Sequence, residues 1–192
     1  MELLKARPEE RPIAVQIFGH DVDRMANAAK LAEQAGANII DINSGCPVPK
    51  VVKRGGGCEL MRQPQHLASI LRAVRKEIKI PLTLKIRSGW DEKSKNAVEI
   101  AKIAEDCEVQ AITVHGRTRK QVYGGDADVR IVEEVIQAVN IPVIASGDVV
   151  CGDSAKRYID IGASGIMIGR GALANPWVFD KVNRELKGEN WT

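Results

Sequence analysis

The sequence is short of several features that mark whole classes of protein. No apolar run in its 192 residues approaches the ~20 needed to cross a bilayer. The opening stretch MELLKARPEERP lacks the apolar centre of a secretory leader. Its cysteines, Cys46, Cys58, Cys107 and Cys151, form no CxxC pair, so neither a zinc site nor a disulfide framework is favoured. A cytoplasmic location without bound metal is expected. Strong charge imbalance is missing too: a net charge of +3 does not by itself establish nucleic-acid binding, though it leaves room for a local basic patch. No GxGxxG fingerprint follows the first apolar segment, which removes the main signature of a dinucleotide-binding doubly wound sheet.

What is present is a repeating unit. IAVQIF, ANIIDI, PLTLKI, AITVHG, IPVIAS and SGIMIG are rich in Ile or Val and short enough for buried strands. Between them lie stretches with helical spacing, among them HLASILRAVRKEI and VRIVEEVIQAVN. In DRMANAAKLAEQAG, Met25, Ala28, Ala29, Ala32 and Ala35 share one side and Gly36 provides a stop. Uninterrupted alternation predicts an α/β fold with a parallel sheet and crossover helices. The preferred form is a partial TIM (β/α)8 barrel with six of eight βα units, spanning residues 1–192 as one catalytic domain. MELLKARPEE reads as the tail of a helix, and a fragment lacking its first two units is expected.

Chemistry in such barrels sits at the C-terminal ends of the strands. That rim carries Gln16, Asn43, Cys46, Lys85 with Arg87, and His115 with Arg117 and Arg119. It ends in Ser146-Gly147-Asp148 and in Gly169-Arg170-Gly171, loops expected to bind phosphate through backbone N–H groups and the Arg170 guanidinium. The ALANPW that follows is expected to start a short helix. Read from the residues alone, Lys85 suits a Schiff-base nucleophile, a phosphate ligand or a fixed charge beside an electron-rich ring. Cys46 suits a packing residue, a metal ligand or a reactive acid or nucleophile. Cys58, Cys107 and Cys151 are expected at core or boundary positions, and His20 and His66 at the surface. Trp90 either packs under the site or covers the rim.

Taken together, NSGCP, KRGGGCELM, LKIRSGW, HGRTRKQVYGGDAD, IASGDV and GIMIGRGALANPW resemble the bacterial tRNA-dihydrouridine synthase family over nearly the whole chain. The resemblance implies an FMN-containing barrel, reduced by NADPH or NADH, that reduces uridines in tRNA to 5,6-dihydrouridine. Hydride would go to C6 of the uracil and a proton to C5 from Cys46, a thiol that is largely protonated near neutrality yet able to give its proton up. By the same resemblance Gln16, Lys85 and His115 match positions that hold the flavin ring. Ser146, Gly147, Asp148, Gly169 and Arg170 match those around the FMN phosphate. Asn43 and Arg87 match residues near the flavin or target base. Lys50, Lys53, Arg54, Arg117, Arg119 and Lys120 are assigned to tRNA phosphates, and PVPKVVKRGGG to a mobile loop after the cysteine. The target uracil would be extruded from the folded tRNA.

The sequence departs from the family at several points. By the resemblance, the chain is expected to lack the family's opening P-M-A-G strand, the strand after it and the C-terminal tRNA-binding helical domain. Its N-G-D appears as Ser146-Gly147-Asp148, and its Trp after A-D as Val129. The full-length protein is expected to be a monomer without membrane attachment. Competing readings are an FMN barrel acting on a free pyrimidine, a non-catalytic fragment of the synthase, and a phosphate-binding isomerase barrel without flavin.

Overall fold

The computed structural model describes residues 7–191. Six parallel strands pair in sequential order: β1 (Ala14–Ile17), β2 (Ile39–Ser44), β3 (Leu82–Arg87), β4 (Ala111–His115), β5 (Val143–Ser146) and β6 (Gly165–Met167). Each apolar segment singled out in the sequence contributes one strand. Between and after them come α1 (Val22–Gln34), α2 (Pro49–Val52), α3 (Pro64–Glu77), α4 (Ala97–Asp106), α5 (Val129–Ala138), α6 (Gly152–Ile159), α7 (Gly171–Ala174) and α8 (Val178–Leu186). Sequential order with only parallel neighbours means every crossover turns the same way, as in an arc of a (β/α)8 barrel rather than a doubly wound sheet. The helix tail expected at the N-terminus begins in residues 1–6, outside the described residues; Pro8–Glu10 form one 3-10 turn. No helix among the described residues is long and apolar enough to cross a membrane.

Alternation along the strands separates core from site. Ile40, Ile42, Leu84, Ile86, Ile112, Val114 and Ala145 are fully buried in the core cluster that includes the helices. The alternate residues fall into rows set by register: Gln16–Asp41–Thr83, then Asn43–Lys85–Thr113, then Arg87–His115–Ser146 at the rim. These stretches of the inner face are polar, which apolar patterning alone does not announce, and the rows run on into Ala111, Ile144 and Met167. In α1 the apolar stripe includes Ala26, while Ala28 and Ala35 are only half-buried. Asp21 caps that helix by accepting the Arg24 N–H, and Gly36, at φ +96°, takes the chain out of it.

The opposite ends of the strands are fastened by a device used twice. One Glu33 carboxylate oxygen accepts the N–H groups of Lys79 (2.7 Å) and Ile80 (3.0 Å) before β3. One Glu105 oxygen does the same for Asn140 (2.7 Å) and Ile141 (3.2 Å) before β5. The amide oxygens of Asn38 and Gln110 accept the N–H groups of Ile13 and Leu82. Each is gripped by an arginine, Arg11 or Arg75, that also binds main-chain carbonyls. Backbone groups that precede the ladders are thereby satisfied by side-chain acceptors, two of them charged.

Candidate active site

A cleft of about 670 Å³ opens at the C-terminal ends of the strands. It brings together Gln16, Asn43, Cys46, Lys85, Arg87, His115, Ser146, Gly147, Asp148, Gly169 and Arg170. Cys46 stands on the turn after β2. Asn43 Oδ1 accepts the N–H groups of Gly45 (3.1 Å) and Cys46 (2.9 Å), and the Cys46 carbonyl accepts the Cys58 N–H (3.1 Å). Gly57 permits that approach, since a Cβ there would lie 2.6 Å from the Cys46 carbonyl oxygen. Burial pushes the neighbouring Cys58 thiol up to about 12, and of the two thiols only half-buried Cys46 lines the cleft. Cys107 is buried and Cys151 lies at a boundary, as expected. The segment expected to be a loop holds a helical turn, α2, and leads into a 3-10 stretch, Gly57–Arg62, that buries Leu60 and Met61.

Lys85 lies in the floor of the cleft. Burial, then the Arg87 charge, pull its pKa down, and among the described residues its ammonium has no hydrogen-bond acceptor. Arg87 is buried and spends donors on the carbonyls of Gly45 (3.0 Å), Thr118 (2.9 Å) and Val122 (2.8 Å), tying the Cys46 turn to the loop after β4. Burial first, then the Arg87, Lys85 and Arg117 charges, lower His115 to about 3. Arg117 can only donate, so His115 Nε2, 3.4 Å from Arg117 Nη1, is an acceptor and the proton resides on Nδ1.

His115 thereby couples stability to pH. Unfolded His115 takes a proton near its ordinary value of 6.5 while the folded ring resists until about 3, so stability falls as pH drops through that interval. His115→Gln is expected to flatten the decline of the urea midpoint between about pH 7 and about pH 5, measured beside the wild type.

At the other end of the cleft the main chain is unusual. Gly147 (φ +127°) and Asp148 (φ +55°) both lie at positive φ. A Cβ on Gly147 would come within 2.6 Å of Ala127 Cβ. Arg117 holds this turn with a bidentate pair to Asp148, at 2.8 Å to each oxygen, and donates to the carbonyls of Gly124 and Gly125. Arg170 adds a 3.1 Å contact to Asp148 Oδ1. Burial alone would push the Asp148 carboxyl up; the hydrogen bonds from Arg117 and the Ala127 N–H, with both guanidinium charges, outweigh it and hold the carboxyl below the usual range. The N–H groups of Gly147, Asp148, Gly169 and Arg170 meet no protein acceptor among the described residues, and a Cβ at Gly169 would face open space. α7 is the short helix expected from ALANPW, a single turn.

Two expectations need revision. Arg117, assigned to RNA phosphates, is only 2% exposed and is committed to Asp148, so it cannot reach a ligand on the surface. Arg119 is half-buried and stacks on Trp90 (4.8 Å), whose ring also meets the guanidinium of Arg62 (4.6 Å); Trp90 therefore covers the rim outside the cleft. Lys120 is exposed and paired with Asp91 (2.8 Å). Lys50, Lys53 and Arg54 are exposed, and the last two line a second groove with Phe18 and Arg24 that meets the cleft at Gln16. The sequence reading missed Tyr123, which lines the cleft with Arg170 against its ring at 4.6 Å and Arg87 at 5.8 Å. Its only signal was an aromatic residue in a glycine-rich, charged loop.

A family model described as Dihydrouridine synthase (Dus) matches residues 1–192. The tRNA-dihydrouridine synthase B of Pasteurella multocida is 48% identical over 167 residues, 86% of this chain and 50% of that protein. That of Vibrio vulnificus is 45% identical over 175 residues, covering 91% and 54%. The chain thus spans about half the length of the curated relatives it matches. A solved structure of DHODH from Eimeria tenella, in complex with ferulenol, superposes with a TM-score of 0.66 at 18% identity, over 85% of this chain and 52% of that one, which supports the partial barrel. On its sequence and its fold, the chain belongs to the dihydrouridine synthase family.

Proposed function

We propose that the protein carrying this chain reduces uridines in tRNA to 5,6-dihydrouridine, with FMN bound in the cleft and NADPH or NADH as reductant. The observation that carries this reading is a single accessible thiol, Cys46, opening onto the same cleft as an unpartnered lysine and a set of free backbone N–H groups. The activity for which the relatives are named adds support. The residues fit FMN. Gln16, Lys85 and His115 offer donors to the carbonyl and imine edge of an isoalloxazine ring. Ser146, Gly147, Gly169 and Arg170 offer donors to a phosphate, while Asp148 fixes Arg170 in place instead of touching the anion. Bound FMN supplies the hydride that is added at C6 of the uracil.

The chain's own residues do the rest. Cys46 gives its S–H proton to C5, and the resulting thiolate is reprotonated from solvent. Lys85 places a positive charge where negative charge collects on the ligand. Asn43 and Arg87 hold the Cys46 turn against the base. The test is incubation of the protein with FMN, NADPH and unmodified tRNA, read by mass analysis of the nucleosides. Conversion of uridine in tRNA, with free uridine left unchanged, is the expected result. Conversion of free uridine at an equal rate favours the free-pyrimidine reading.

Lys50, Lys53, Arg54 and Lys120 are the surface cations assigned to the tRNA backbone. Changing Lys50, Lys53 and Arg54 together to alanine is expected to weaken tRNA binding. It should also reduce the slope of log affinity against log salt by about 0.7–0.9 for each phosphate no longer neutralised, measured by filter binding across a salt series.

A further inference from the structure

Asp41 is the only carboxylate on the inner rows of the described strands. It is 7% exposed and lies one row below the cleft. Its Oδ1 accepts from Thr83 Oγ1 and its Oδ2 from Gln16 Nε2, each at 2.6 Å. Gln16 Oε1 in turn accepts from Asn43 Nδ2 at 2.7 Å, and Asn43 Oδ1 accepts the Gly45 and Cys46 N–H groups. Both side-chain amides in this chain of contacts can flip, and a flip of either would set donor against donor. An ionised carboxylate accepts only. It obliges Gln16 to present nitrogen to Asp41 and oxygen to Asn43; the donor-only Gly45 and Cys46 N–H groups oblige Asn43 to present oxygen to the turn and nitrogen to Gln16, so the two ends agree and the carboxylate holds the Gln16 link that keeps Asn43 in place.

We infer that Asp41 is a positioning residue for Cys46, acting through Gln16 and Asn43. It deepens the proposed function, because it matters to the reaction only if Cys46 is the acid. The geometric statement stands apart from that reading and is tested without flavin or tRNA. Thr83 does not lock the polarity by itself, since a hydroxyl both donates and accepts; the carboxylate does.

The experiment is alkylation of the native chain by iodoacetamide, with each cysteine's rate read by peptide mass and the melting temperature followed alongside. Asp41→Ala and Gln16→Ala are each expected to speed Cys46 alkylation about three- to tenfold, and the double variant no more than either alone, because all three break one chain of contacts. Asp41→Asn should remain within about twofold of wild type, since its amide oxygen still accepts from Gln16 while its nitrogen donates to Thr83. Three outcomes overturn the inference: wild-type alkylation in Asp41→Ala; effects that add in the double variant; or faster alkylation of buried Cys58 and Cys107 in step with Cys46, which marks general loosening. Should Asp41→Ala fail to fold, Gln16→Ala, on an exposed strand position, carries the same test. Loss of base reduction in the variant with unchanged alkylation would overturn the positioning and leave the proposed chemistry standing; changed alkylation in a protein that never reduces tRNA would uphold the positioning and remove only the chemistry.

Discussion

Cys46→Ala is expected to lower the rate of the proposed uracil reduction by about 10²- to 10⁴-fold, the range for removing a positioned general acid. FMN content should not change. The main chain at Cys46 is held by Asn43 Oδ1 and by the Cys58 N–H, and neither contact uses the sulfur. Neither Cys58 nor His115 can substitute: Cys58 is buried with its thiol pushed up to about 12, and His115 is neutral down to about 3. Cys46→Ser should resemble alanine more than cysteine, since a hydroxyl is a far weaker acid than a thiol. Single-turnover mixing of the NADPH-reduced protein with unmodified tRNA isolates the step: flavin reduction stays at the wild-type rate and flavin reoxidation slows. Turnover within twofold of wild type would remove Cys46 from the role.

The second large effect falls on stability. Arg117→Met should cost about 3–5 kcal/mol, the range for breaking a buried pair from one side. The substitution strips Asp148 of both 2.8 Å contacts and leaves the carbonyls of Gly124 and Gly125 without their donor. What Arg117 restrains is a turn with two consecutive residues at positive φ, which persists only where its surroundings enforce it. The pH dependence gives a second readout. Asp148 is held below the ordinary carboxyl value, so its contribution is fully present above about pH 4 and is lost as pH falls through the lowered folded value. Urea unfolding of wild type and variant should therefore differ most near neutrality and converge in acid. A variant that matches wild type at pH 7 would show that the pair is not what holds the turn.

Much of this fold was open to inspection in the sequence because a parallel strand buried on one side by helices keeps its Ile and Val on a fixed alternation. ANIIDI and PLTLKI show this directly, and all six strands came from such runs. The cleft was partly readable for the same reason: the polar residues breaking the alternation at strand ends, Asn43, Lys85 and His115, are the ones that face it. What stayed hidden was how polar groups divide between ligand and protein. Arg117 and Arg119 look alike in HGRTRK, yet one is consumed by a carboxylate 31 residues on and the other lies against Trp90. Asp148 was read as a group beside phosphate, while its oxygens are occupied by guanidinium groups. Asp41 looked like one acid within a strand, because nothing local reveals that Gln16 and Thr83 flank it across the sheet. Pairing over such separations depends on register, and register emerges only when strands are laid side by side.

The twin carboxylate fastenings of Glu33 and Glu105 have a meaning for how this sheet tolerates its own rim. Arg87 at the end of β3 and Arg117 in the loop after β4 bring like charges close at one end, where the Thr118 and Val122 carbonyls hold the first and Asp148 the second. Alignment is secured at the far end as well, where each acid receives two main-chain N–H groups ahead of a strand. Anchorage therefore lies at both ends of the strands, and because Arg87 and Arg117 carry it at the reactive end, the neighbouring Lys85 is left free to act on a ligand.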